Sequence, residues 1–203
     1  SFYRLVIPKK LKKKIYIIRN ILFNSKNIFI VNENSYNEDG LATNHIVDFM
    51  KSEKFIKNYF KAAEGTKHRI MFRAYIQNYF ANYALRLFNN NPGCFVELGT
   101  HKGLMSKIIL LNNDFNEKIN FYLFDRFTGI PLENIRDDEI RHVKKMNENY
   151  YNEDSYEFVK SKFSDFPFVK IVKGRLPETL INKNISLENI QFLHIDLNNA
   201  HAE

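Results

Sequence analysis

Three carboxylates and two glycines hold most of the chemistry this sequence can do: Glu97, Gly99 and Gly103, then Asp125, then Asp196. The first three lie in the run CFVELGTHKGLMS, residues 94–106. It reads as a buried strand, a glycine-punctuated turn and a helix start, since Phe95 and Val96 suit a covered strand. Gly99 allows a sharp turn, or the approach of a ligand where a Cβ would collide. Gly103 is read as letting the next helix sit close to the strand. A strand feeding a helix N-terminus through glycines turns backbone N–H groups and the helix dipole toward a crevice, as nucleotide sites do.

The spacing narrows the ligand. Pyrophosphate sites use G-x-G-x-x-G and P-loops use G-x-x-x-x-G-K-[ST]. Here the pattern is E-x-G-x-x-x-G. An acid two residues before the first glycine repels phosphate and attracts cations or hydroxyls. S-adenosylmethionine fits that preference, because its amino and sulfonium groups are positive and its nucleoside carries no phosphate. An ordinary turn is the competing reading.

Asp125 closes a strand expected over 120–125, 22 residues after Gly103. An acid at the tip of the second strand can accept two hydrogen bonds from a ribose diol; a loop carboxylate or helix cap is the plainer alternative. Asp196 falls near the carboxyl end of a strand expected over 190–197, where open α/β sheets keep their chemistry. Strand alternation puts Phe192, His194 and Asp196 on one side. His194 is read as a packed or hydrogen-bonded core histidine rather than a base.

The elements that must position these groups follow from periodicity. The chain has 203 residues, 44% hydrophobic and 26% charged, with net charge +7. That is ordinary for one globular domain. Apolar spacing predicts helices over 8–22, 44–63 and 69–87. The first has Leu11, Ile15, Ile18 and Leu22 on one stripe and five lysines around its start. A short strand is expected over 27–31 and loop over 32–40. Beyond the glycine turn, helices are expected over 137–146, 155–163 (capped by Ser155) and 176–180, with a third strand at 169–172. The long charged connection 127–153 is a candidate lid or substrate loop. The architecture is therefore α/β: a Rossmann-like sheet preceded by helices, with residues 1–92 as a cap, lid or dimer region and 93–203 as the cofactor-binding core. The sole cysteine, Cys94, cannot form an internal disulfide and fits a reducing, cytoplasmic setting. No run approaches the roughly 20 apolar residues of a membrane span. The basic residues are scattered outside the first helix and no nucleic-acid motif occurs.

Four separated strings now stand in order: FVELGTHKG (95–103), FYLFDRFTGIP (121–131), VKGRLPETL (172–180) and FLHIDLNNAHAE (192–203). Together they resemble the macrocin O-methyltransferase-like family of class I S-adenosylmethionine-dependent methyltransferases. DGLATNHIVDF, residues 39–49, also looks like a stretch upstream of that fold. The resemblance implies methyl transfer to a hydroxyl, often on a sugar or another small-molecule or glycan acceptor. It implies that Glu97, Gly99 and Gly103, with Thr100 and His101 of the same turn, line the methionine end of the cofactor. Asp125 would hold the ribose with Arg126 and Phe127 beside it, and Gly174 and Arg175 would border the adenine. Asp196 matches the family aspartate that sits at the acceptor and binds Mg2+. Two departures bear on the metal: the family's Asp-Asp pair on a later strand lies beyond Glu203, and Asn198 stands where some members have a second aspartate. Four strands rather than seven suggest a truncated sheet. Two rival readings remain: a nicotinamide-dependent oxidoreductase, and a non-catalytic nucleotide-binding protein. A homodimer through the leading helices is a candidate assembly.

Overall fold

The computed structural model describes residues 36–198, apart from 44, 46, 90, 117, 134, 182–184 and 186. The helix expected over 8–22 and the strand expected over 27–31 lie outside the described residues. The chain forms two compact units, Ser1–Asp48 and Phe49–Glu203.

The described part of the first unit is a hairpin, with β1 (Tyr36–Glu38) antiparallel to β2 (Leu41–Thr43). The expectation of loop over 32–40 is corrected here. Asp39 and Gly40 both take positive φ, 52° and 73°, as a two-residue type I′ turn requires, and Asp-Gly is a strong sequence signal for it.

In the second unit, α1 (Glu53–Ala62) follows a 3-10 turn, Asp48–Lys51. The single helix expected over 44–63 is thus broken at Ser52. The Ser52 hydroxyl accepts the Phe55 N–H at 3.3 Å, and that cap starts the helix afresh. Phe55, Tyr59 and Ala62 form its buried stripe. α2 (Met71–Leu87) buries Ala74, Ala81, Ala84 and Leu85, and the three alanines allow close approach to α3 (Leu104–Asn112). Asparagines interlock these helices: Asn113 donates to Asn78 and accepts from Asn82, and Asn58 donates to the Leu111 carbonyl.

The sheet consists of β3 (Gly93–Leu98), β4 (Ile119–Asp125), β5 (Val169–Lys173) and β6 (Ile190–Ile195). All pair in parallel, in the order β5-β4-β3-β6. Two further helices, α4 (Asp137–Asn149) and α5 (Tyr156–Lys162), lie between β4 and β5 in sequence. The fold is α/β and Rossmann-like, as expected. Cys94 to Leu98 are all buried, because β3 is covered on both faces, as parallel strands are. Phe95, Phe121 and Phe192 pack together on one face. Cys94, Val96, Leu98, Phe124 and Leu176 form the core of the other.

Two smaller expectations are corrected. The fourth strand stops at Ile195, so Asp196 and Leu197 lie just past it. The helix expected over 176–180 is a 3-10 turn, Glu178–Ile181. Among the described residues no helix is long and apolar enough to cross a membrane.

Candidate functional site

In the strand order β5-β4-β3-β6 the chain reverses direction across the sheet between β3 and β6. Open α/β sheets bind ligands outside the carboxyl ends of the strands at such a switch point. Gly99 and Asp196 meet there. Asp196 donates its N–H to the Leu98 carbonyl at 2.9 Å, and a Cβ on Gly99 would collide with the Asp196 carbonyl group. Gly99 has φ +93°. The close approach that requires glycine is therefore between two strand ends of the protein itself.

The N–H groups of the turn are largely committed. Those of Gly99 and Thr100 donate to the Phe124 carbonyl at 2.9 and 3.3 Å, and Thr100 adds its hydroxyl at 3.4 Å. The His101 N–H donates to Asp125 Oδ2 at 2.7 Å. Gly103 takes φ +71° at the start of α3. The reason expected for Gly103, close packing of helix on strand, is corrected: a Cβ there would run into the Phe163 ring, which follows α5.

Asp125 is bound on both oxygens, since Phe127 N–H donates to Oδ1 at 2.6 Å. Burial pushes its carboxyl above the usual carboxylate range against these two hydrogen bonds, and the Glu97 charge adds to the rise. The Asp125 carbonyl accepts the Gly174 N–H at 2.9 Å, which ties the end of β4 to the loop after β5. Phe127 is fully buried against Tyr156, whereas Arg126 is half-buried. Arg175 lies between Glu178 and Glu133, at 3.6 and 3.9 Å.

Glu97 is 1% exposed. The Ser106 hydroxyl donates to its Oε2, and His194 Nδ1 lies 3.2 Å from Oε1. Burial works against a charged His194. The hydrogen bond and charge of Glu97, joined by Asp196, outweigh it and hold the imidazole above its ordinary pKa. His194 is therefore hydrogen-bonded, as the sequence reading had it, and its partner is the buried acid of the adjacent strand.

Asp196 Oδ1 accepts from Asn198 Nδ2 at 3.1 Å, and Oδ2 faces Arg73 Nη1 at 3.8 Å. Among the described residues no three His, Cys, Asp or Glu side chains gather as a metal-binding group. One carboxylate beside a guanidinium does not fit a divalent cation, which prefers several oxygen ligands.

Residues the sequence reading did not single out stand beside Asp196 and His101. Arg73 comes from the first turn of α2. Tyr151 follows α4, with its ring 4.5 Å from that of His101. Burial and the charges of Asp196 and Asp125 push its phenol up to about 12. The His101 ring is driven down to about 4 by burial and by His68 and Lys102; it reaches the Tyr150 carbonyl at 3.2 Å. Lys102 pairs with Glu153, and Lys173 with Asp154 at 2.6 Å. The end of the 127–153 connection thus lies against the glycine turn. The Ser155 side chain does not cap α5; it donates to the His101 carbonyl at 3.4 Å.

No family profile matches this chain, and no curated protein matches it. Among solved structures, that of the O-methyltransferase NovP aligns with a TM-score of 0.46 and 20% identity, over 63% of this chain and 54% of that one. The chain spans about half the length of that protein. The likeness is to NovP, and the activity of this chain does not follow from it.

Proposed function

We propose that the chain carries the cofactor-binding part of an S-adenosylmethionine-dependent O-methyltransferase. Residues 93–203 would be the core and residues 1–92 the cap or dimer region. One observation supports this above others. Three adjacent strands, β4, β3 and β6, bring Asp125, Glu97 and Asp196 to one end of the sheet, beside a turn whose N–H groups at 99, 100 and 101 are already bonded. Such a crevice favours a cationic, hydroxyl-bearing ligand and offers little to a pyrophosphate. That weighs against the nicotinamide reading.

In this proposal Asp125 accepts the ribose hydroxyls through lone pairs not used by His101 and Phe127. Gly174 and Arg175 border the adenine. Glu97 faces the positive methionine end, its charge shared with His194. The cofactor brings an already activated methyl group, so the protein's tasks are alignment of the acceptor oxygen and removal of its proton. Asp196 takes that proton directly, the described side chains around its carboxylate being Arg73 and Asn198. The acceptor is a hydroxyl of a sugar or another small-molecule or glycan, and the setting proposed is cytoplasmic.

Calorimetry with S-adenosylmethionine, its demethylated product S-adenosylhomocysteine, and NAD tests the reading. Heat with the first two and none with NAD is expected. Heat with NAD alone would overturn it.

A further inference from the structure

Lys162, the last residue of α5, is half-buried and points at three backbone carbonyls. Its Nζ donates to Ala62 O at 2.6 Å, Lys102 O at 3.0 Å and Glu64 O at 3.2 Å. An ammonium has three N–H donors and no acceptor, so three carbonyls use all of them. Ala62 is the last residue of α1 and Glu64 lies two residues past it, at a helix end where carbonyls lack intrahelical partners. The third belongs to the glycine turn between β3 and α3.

The rest of α5 bears on the same turn. At its start the Ser155 hydroxyl holds the His101 carbonyl. Just past its end the Phe163 ring fills the space a Cβ at Gly103 would need. Lys107 of α3 donates to the Lys162 carbonyl at 2.7 Å, which fixes the backbone that carries the ammonium. The turn residues His101, Lys102 and Gly103 are thus each gripped by α5 or its flanks.

We infer that Lys162 is a positioning residue for the ligand-binding turn: its ammonium ties the Lys102 carbonyl to the end of α1 and holds Gly99–Gly103 in the conformation that receives the ligand. The ligand side of this inference rests on the proposed S-adenosylmethionine site; the hold on the turn does not. Loss of the proton leaves two donors for three carbonyls and turns a lone pair toward one of them. The groups that face Lys162 are Lys107 on α3, Glu64 after α1, Lys102 and the His101 ring in the turn, and Glu97 on β3, with the Phe158 ring 5.4 Å from Nζ. Burial and the two lysines outweigh the acids and lower Lys162 to about 8. The charged form holds the turn below that pH, and the hold weakens above it.

The experiment follows the turn and the ligand together. Amide NMR signals of Lys102 and Gly103 are recorded from about pH 7 to about pH 9.5, with S-adenosylhomocysteine titrations over the same range. Three proteins are compared: wild type, Lys162→Met and Lys162→Arg. In the wild type both amides are expected to titrate with a midpoint near 8, and affinity to fall several-fold. Lys162→Met keeps the stem but no donor. It should bind about tenfold or more weakly, as for a lost hydrogen bond to a charged group, with amides flat across the range. Lys162→Arg stays charged throughout. It should hold near-wild-type affinity without the fall at high pH. Titration of the ligand's own amine is common to all three and cancels in the comparison. If Lys162→Met does not fold, Lys162→Arg decides: a fall with pH equal to the wild type's overturns the inference. So do wild-type amides that do not titrate. If S-adenosylhomocysteine binds none of the three, the cofactor reading fails, and the amide titrations still decide what Lys162 does.

Discussion

Glu97 Oε1 and His194 Nδ1 stand 3.2 Å apart across the switch point of the sheet. They are register partners on β3 and β6, so their side chains emerge on the same face. A buried acid on a central strand is costly unless paired. Here it is held by a histidine on one oxygen and the Ser106 hydroxyl on the other.

This pair should make stability depend on pH. A histidine whose folded pKa is raised contributes stability that is fully present below its unfolded pKa of about 6.5 and is lost as pH rises through the folded value. Chemical unfolding at about pH 6 and about pH 9 should show the wild type losing stability relative to His194→Asn over that interval, a comparison in which the contributions of His101 and Lys162 cancel. His194→Asn should remove that part of the slope. An unchanged slope in the variant would show that the charge on His194 contributes nothing to stability.

Gly99→Ala should destabilise by about 2 kcal/mol or more. It combines a positive φ with a collision against the Asp196 carbonyl group, and strained backbone alone costs roughly 1–3 kcal/mol. The substitution displaces Asp196, so turnover should fall further than lost stability explains. A variant as stable as wild type would disprove the contact.

Asp125→Ala should weaken S-adenosylhomocysteine binding by roughly 1–3 kcal/mol. From its position in sequence, a strand-tip carboxylate looks expendable to the fold. Its bonds to the His101 and Phe127 N–H groups argue otherwise, and the variant should also lose about 2–3 kcal/mol of stability. Asp125→Asn, which keeps one acceptor, should fall between. Full stability together with full affinity in Asp125→Ala would leave the residue without either role.

Asp196→Asn should lower turnover by about 10²-fold or more, the usual range for a lost acid–base group, with cofactor affinity little changed. Normal turnover in Asp196→Asn would place the base elsewhere.

Local pattern was enough for the four strands and most of the helices. Alternation and apolar runs are properties of neighbouring residues, so β3, β4, β5 and β6 were legible to within one or two positions. Asp125 and Asp196 were legible as strand-end acids for the same reason. Elements were misread where a short-range signal was passed over: the Asp39-Gly40 turn, and the Ser52 cap that splits one expected helix.

What the sequence by itself determined is the α/β class, the glycine turn after β3 and the carboxylates at strand ends, because each depends on residues only a few positions apart. The order β5-β4-β3-β6, the pairing of Glu97 with His194, the ring of Phe163 against Gly103 and the reach of Lys162 to Lys102 were decided by tertiary structure. These join residues some 60 to almost 100 positions apart. No periodicity records such pairs: they exist only once parallel strands set the register and α5 is laid against the turn.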